Sequence, residues 1–327
     1  MLLSLGAAIF GFILLAWAAD RFVFGAEASA LNLGVSPLMV GLTVAAIATS
    51  MPEVLVSGIA SWQGNAGLGM GNAVGSNIAN IGLILGLTAL ITPLSVRSST
   101  LQRELPILVA ITLIGIVLLV DGRLGRIDAA ILLVLFGVVL YWLMRLGART
   151  HKSDPMSGEF AMHIPRNVAM KRAVAWLVVG MMMLLVASRI LVWGAVNFAQ
   201  ALGVSDLVIG LTIVAIGTSL PELATCIVSA SRNQPDIAIG TVIGSNMFNL
   251  LAVLGVIGMI QPSLLPAELL TRDYPVMIAL TLALFAMAYG FGGSGKINRF
   301  EGAVLFACFV GYQLYLYSSV RATALSP

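Results

Sequence analysis

The sequence predicts an all-α integral membrane protein whose ten transmembrane helices form two inverted five-helix repeats. Three observations predict it: a very apolar composition, ten apolar runs of spanning length, and a long ungapped match of the chain to itself. The 327 residues are 59% hydrophobic and 9% charged, with a mean hydropathy of +1.03. A soluble domain carries about 25% charged residues, so a water-facing surface of this size could not be covered. The net charge of +3 would suit nucleic acid in a soluble chain. Here the cations gather between apolar runs, as membrane topology demands, so no nucleic-acid partner is expected.

Apolar runs bounded by polar residues fall at 3–32, 36–62, 68–91, 104–120, 127–146, 172–199, 205–230, 235–260, 273–291 and 299–319. Each is long enough, or nearly so, to cross a bilayer as helix. The first opens without a basic segment or a small-residue cleavage motif, so it reads as a retained helix. The one sizeable polar stretch, Gly147 to Lys171, contains His151, Asp154, Glu159 and Arg166 and divides five runs from five. With both termini outside, Arg21, Arg97, Arg103, Arg145, Arg149, Lys152, Arg166, Lys171, Arg172, Arg232, Lys296 and Arg299 fall on the cytoplasmic side. Only Arg123, Arg126, Arg272 and Arg321 then lie outside, and this asymmetry sets the orientation.

Leu33 to Glu53 reads LGVSPLMVGLTVAAIATSMPE and Leu202 to Glu222 reads LGVSDLVIGLTIVAIGTSLPE, identical at 14 of 21 positions with an offset of 169. At the same offset Gly71, Gly75, Ser76, Asn77 and Asn80 meet Gly240, Gly244, Ser245, Asn246 and Asn249, and Arg103, Glu104 and Pro106 meet Arg272, Asp273 and Pro275. Five spans per copy is an odd number, so the second copy enters the membrane from the opposite side. Such repeats, with helix breakers at matching places, point to a transporter with its site near the midplane.

Thr49-Ser50-Met51-Pro52-Glu53 and Thr218-Ser219-Leu220-Pro221-Glu222 put hydroxyls, a helix-breaking proline and a carboxylate together inside apolar runs. A carboxylate at a helix centre in a bilayer costs roughly 2.5–3.5 kcal/mol or more, so Glu53 and Glu222 must face a cavity or protein. Each proline removes the hydrogen bond to the carbonyl four residues back, at Ala48 and Gly217. Freed carbonyls beside carboxylates and hydroxyls form a hard-oxygen set suited to Ca2+ and usable by Na+. Ser76 and Asn80 share a helix face, as do Ser245 and Asn249. For Asn77 and Asn246, ion binding and interhelical hydrogen bonding are equally open.

These segments, GLTVAAIATSMPE with GNAVGSNIANIG and GLTIVAIGTSLPE with GTVIGSNMFNLL, resemble the two alpha repeats of the cation/calcium exchanger superfamily, and most closely its prokaryotic sodium/calcium exchangers. The resemblance implies a first repeat over 1–146 with its alpha motif at 41–86, a cytoplasmic linker at 147–171, and a second repeat over 172–327 with its motif at 210–255. It implies a secondary antiporter of the prokaryotic plasma membrane that exchanges Ca2+ for Na+ by alternating access. Glu53 and Glu222 would hold Ca2+ with main-chain oxygens at Thr49 and Thr218. Ala46, Ser50 and Ser76, with Ala215, Ser219 and Ser245, would complete flanking Na+ sites, and Asn80 and Asn249 the remaining position. Some relatives carry an acid where this chain has Asn249, and potassium-dependent ones carry an acid in this region, which argues against potassium coupling. Proton-coupled exchangers resemble the pattern but add a Glu-His pair near Gly75-Ser76 that this chain lacks; a proton-coupled exchanger remains the alternative reading. Ca2+ and Na+ are cargo, and no cofactor and no protein partner beyond the lipid bilayer is expected.

Other signals are weaker. A passive channel has little reason to invert five helices, and an intramembrane enzyme would need a nucleophile and base in a motif. Gly290 to Lys296 imitates a phosphate loop but has Ile297 where Ser or Thr would hold Mg2+. His151 and His163 lack metal-site spacing. Cys226 and Cys308 read as core thiols, Met181 to Met183 as packing, and Asp20 and Arg189, at equivalent repeat positions, as anchors.

Overall fold

The computed structural model describes residues 1–34, 37–96, 101–150, 168–202, 215–289 and 295–325. Helix α1 (Leu2–Leu33) ends at Gly34, whose left-handed backbone (φ 65°) closes it. Helix α2 covers 37–49, with a π-helical stretch at Gly41–Ala45, and α3 covers Met51–Trp62. Helix α4 (Ala66–Ile91) is followed by strand β1 (Leu94–Val96), α5 (Leu101–Leu119), β2 (Arg123–Leu124) and α6 (Arg126–Thr150). The second half runs α7 (Met170–Ala201), α8 (Ala215–Thr218), α9 (Leu220–Ser231), α10 (Pro235–Ile260), β3 (Ser263–Leu264), α11 (Leu269–Tyr289), β4 (Gly295–Ile297) and α12 (Arg299–Leu325).

Seven of these helices are long and apolar enough to cross a membrane, and the pair α2–α3, bent by 47°, makes an eighth. The expected spans at 104–120 and 205–230 fall short of that standard. The first is represented by sixteen apolar residues, Glu104–Leu119, and the second by the twelve-residue α9. Residues 203–214, which include the first part of the expected span at 205–230, lie outside the described residues, as do both histidines of the central loop and most of the phosphate-loop imitation.

The centre of the molecule is α4 and α10. In their most apolar windows 78% and 83% of residues are buried, against 28% and 22% in α1 and α7 and 17% in α6 and α12. Both central helices widen into a π-helical turn, at Asn80–Leu85 and Asn249–Val253. Each turn opens at the second asparagine of a GSNxxN segment, and such bulges occur frequently at functional sites.

Contacts come in pairs that the repeat offset exchanges. A Cβ on Gly11 would stand 2.6 Å from the Leu191 nitrogen, and one on the equivalent Gly180 would stand 2.5 Å from that of Phe22, the equivalent of Leu191. Helices α1 and α7 therefore lie backbone to backbone, the close approach that small residues permit. The strands follow a similar exchange, β1 of the first half matching β3 of the second. Leu94 and Ser95 pair with Ile297 and Lys296, while Ser263 and Leu264 pair with Leu124 and Arg123. Met181 and Met183 pack against α1, as expected of filler, and Met182 is exposed.

Cys226 is buried, its thiol donating to the Ala238 carbonyl at 3.4 Å. Cys308 corrects the expectation: it is exposed on α12. An apolar run does not distinguish core from lipid-facing positions, because a membrane protein is apolar on both.

Candidate functional site

The helix breaks that proline imposes are alike in the two halves. Ser50 (φ −83°, ψ 8°) separates α2 from α3, and Ser219 (φ −90°, ψ 8°) separates α8 from α9. Pro52 and Pro221 lie at the starts of the new helices, where a missing N–H costs nothing. Glu53 and Glu222 follow in the first turns, at the positive ends of the helix dipoles. Both are 1% exposed.

Around them the structure gathers much of the expected set. Ser50 donates to Glu222 Oε1 at 3.1 Å, across the boundary between the halves. Thr49 also lies against Glu222, and Ser76 against Glu53, while the two carboxyls are near enough to repel. Thr49 turns its hydroxyl to the Ala45 carbonyl at 3.0 Å. Ser245 reaches from α10 to the Ala46 carbonyl at 3.5 Å. Ala46, Thr49, Ser50, Ser76, Asn80, Ser219, Ser245 and Asn249 are all buried, and Thr218 is half-buried at the end of α8, which Ala215 begins. One freed carbonyl is claimed by protein: Ser188 of α7 donates to Gly217 O at 2.8 Å.

The amides settle into a reciprocal arrangement. Asn80 Nδ2 donates to Asn246 Oδ1 at 2.9 Å, and Asn249 Nδ2 donates to Asn77 Oδ1 at 3.1 Å. Asn77 Nδ2 reaches the Asn246 carbonyl at 3.2 Å. Between the two roles open for Asn77 and Asn246, the structure supports hydrogen bonding across the halves. A residue that sequence reasoning passed over, Asn72, donates to Ser57 Oγ at 3.0 Å and to the Glu53 carbonyl at 3.5 Å. Its signal was spacing, since Asn72, Ser76 and Asn80 form one stripe along α4.

Several polar atoms here are buried without a hydrogen-bond partner among the described residues. They include Glu53 Oε2, Glu222 Oε2, Ser219 Oγ, Asn80 Oδ1 and Asn249 Oδ1, with one nitrogen, Asn246 Nδ2. Burying such groups unpaired costs free energy, and the ion pairs among the described residues leave both glutamates aside. Oxygen-rich, nearly nitrogen-free and sulfur-free, the set fits hard cations. No group of three or more His, Cys, Asp or Glu forms among the described residues, which leaves two carboxyls and neutral oxygens as the donors.

Comparison with known proteins agrees with this chemistry. The family model described as sodium/calcium exchanger protein matches residues 3–145 and 172–318. A protein of Alkalimonas amylolytica named as an antiporter, CaxA, is 45% identical over 98% of this chain and 100% of its own. The sodium/calcium exchanger MaX1 of Methanosarcina acetivorans is 31% identical over 94% of this chain and 97% of its own. A solved structure of the sodium-calcium exchanger NCX_Mj superposes with a TM-score of 0.82 at 35% identity, covering 96% of this chain and 99% of that one. The chain belongs to the sodium/calcium exchanger protein family.

Proposed function

We propose that the chain is a membrane antiporter that exchanges Ca2+ for Na+ at the cluster around Glu53 and Glu222. The observation that carries this is the set of buried oxygens on two carboxyls, two amides and a hydroxyl at the junction of the halves, unpartnered among the described residues. Ca2+ takes six to eight oxygens. Glu53 and Glu222, the main-chain oxygens of Thr49 and Thr218, and neighbouring hydroxyls would supply them. Ala46, Ser50 and Ser76, with Ala215, Ser219 and Ser245, would hold Na+ on either side, and Asn80 and Asn249 would close the cluster between them.

The exchanged glycine and strand contacts support a two-fold relation between halves, and with it ten spans in two inverted repeats, 1–146 and 172–327, joined by a linker at 147–171. Alternating access about that axis would expose the cluster to each side in turn. The chain would act as a carrier and not as an enzyme, with its ions as cargo, in a prokaryotic plasma membrane with both termini outside. Proteoliposomes test the exchange. Calcium uptake should require sodium inside; uptake without any internal counter-ion would overturn antiport, and uptake driven by a proton gradient alone would favour the proton-coupled alternative.

A further inference from the structure

We propose that the α10-facing side of α9 forms an ion-access path from Glu222 to the helix end, lined by Thr225, Ser229 and Gln234. Ion pairs from Arg232 to Asp20 and Glu27 of α1 shut its outer end. The inference rests on the exchange reading for what moves along the path, and goes beyond it in naming where.

Glu222, Thr225 and Ser229 are three and four residues apart, so they share one helix face. At 1.5 Å per residue they reach about 10 Å along α9. Thr225 and Ser229 are 0% exposed, yet neither hydroxyl has a hydrogen-bond partner among the described residues. A helical serine or threonine can bond the carbonyl four residues back. Ser61, Ser231 and Thr241 do so here at 2.9, 2.7 and 2.7 Å. The hydroxyls of Thr225 and Ser229 forgo that bond. Gln234 continues the row: its N–H donates to the Ser229 carbonyl at 2.8 Å, and its Oε1 is buried and unpartnered among the described residues. Cys226 Sγ meets Ala238 O, so α9 turns this part of its surface to α10.

The fold does not require the row. At the equivalent places the first half has Val56, Ala60 and Asn65, and Asn65 is exposed and caps α4 through Leu68 N at 3.2 Å. The hydroxyls that α3 does bury are satisfied, Ser57 by Gly69 O at 3.2 Å and Ser61 by Ser57 O. Orphaned oxygens in line with Glu222, at places where the described residues of the first half have none in line with Glu53, mark a route for ions or their water.

The end of the row is closed by charge. Arg232 caps α9 and donates through Nε to Asp20 Oδ1 at 3.0 Å and through Nη1 to Glu27 Oε2 at 3.5 Å; its Nη2 also reaches Asp20. Arg21 lies 3.8 Å from Asp20 and stacks over Trp176, tying the cluster to α7. The repeat equivalents of Arg232, Asp20 and Glu27 are Gln63, Arg189 and Val196, so the repeat does not reproduce this lock at those positions. These ion pairs hold the end of α9 against α1, so the row opens only when the two helices separate.

The test uses the full chain in proteoliposomes with Ser229→Cys, the parent chain setting the background from Cys226 and Cys308. A membrane-impermeant cationic methanethiosulfonate should label the new thiol only from the face that carries Arg232, and labelling should stop exchange. Adding Arg232→Gln should raise the labelling rate about tenfold. Thr225→Val and Ser229→Ala should each slow exchange about tenfold while equilibrium 45Ca2+ binding to solubilised protein stays unchanged. Labelling from the opposite face, no labelling with or without Arg232→Gln, or full-rate exchange by both hydroxyl variants would overturn the path. Loss of 45Ca2+ binding in step with rate would also overturn it, by assigning these hydroxyls to the central cluster. Failure of the parent to exchange calcium for sodium would sink the function reading instead, because one-sided labelling reads the path independently of the cargo.

Discussion

Asn80 donates its Nδ2 to Asn246 Oδ1 at 2.9 Å across the junction of the halves, and Asn249 and Asn77 repeat the bond at 3.1 Å. The consequence is directional. With each donor engaged on the other half, the amide oxygens of Asn80 and Asn249 are left without hydrogen-bond partners among the described residues. A flipped amide would present N–H groups to the same space and repel a cation. Asn77 and Asn246 thus act as positioning residues for oxygens on Asn80 and Asn249.

The first prediction tests that positioning. Replacing Asn246 with alanine releases Asn80, and Asn77→Ala releases Asn249; one hydrogen bond is worth about 1 kcal/mol. Each variant should weaken the sodium dependence of calcium uptake about fivefold, read as the internal sodium concentration that gives half-maximal rate. Equal sodium dependence in parent and alanine variants would remove the positioning role.

The carboxyls carry the second prediction. Glu53→Gln and Glu222→Gln keep size and hydrogen-bonding capacity and remove charge. Ca2+ affinity follows the number of charged ligands, and each variant removes one of two carboxylates, so calcium transport should fall by more than about a hundredfold in each. In Glu222→Gln the new amide oxygen still accepts from Ser50, so the variants should insert and elute as monodisperse protein on size exclusion. Near-parent 45Ca2+ uptake by either would refute the paired-ligand assignment.

Close approach of α1 and α7 gives the third. Gly11→Val drives a side chain into the Leu191 backbone, and Gly180→Val into that of Phe22. Overpacking of this kind costs typically 1–3 kcal/mol. Because the two contacts are exchanged by the repeat, the variants should lower the detergent Tm by similar amounts. A large drop in one and none in the other would show that the halves do not share this contact.

Much of this was legible before the structure because charge and proline are expensive in an apolar run. Glu53 and Glu222 could be singled out on energetic grounds alone, and Pro52 and Pro221 fixed where the helices break. Helix α10 begins and ends where the apolar run does, at Pro235 and Ile260. The partners of Asp20 were not legible. Asp20 read only as an anchor, as did its repeat equivalent Arg189, which is exposed; the structure brings Arg232 to Asp20 from the end of α9, 212 residues away. Such pairing depends on which helices pack, and composition and periodicity are silent on that. Cys308 failed for a related reason, since hydropathy reads burial in lipid and burial in protein alike.

The last prediction follows from counting charge. With amides at 80 and 249, the formal charges in the cluster are those of Glu53 and Glu222, about −2 when both are ionised. One Ca2+ neutralises it. Two Na+ would do the same, whereas three, filling the flanking oxygens and matching the family resemblance, leave the sodium-loaded site at +1. Exchange of three Na+ for one Ca2+ then moves one positive charge per cycle in the direction of sodium. When sodium-loaded proteoliposomes take up calcium, that charge leaves the lumen, so an inside-positive potential should speed uptake and an inside-negative one should slow it. The coupling is worth about 2.3 kcal/mol per 100 mV, roughly a fiftyfold shift in the calcium ratio at equilibrium. Potassium gradients clamped with valinomycin set the potential, and 45Ca2+ reads the ratio. Uptake that ignores voltage would leave two-for-one exchange, and the site would then pass between two neutral loaded states.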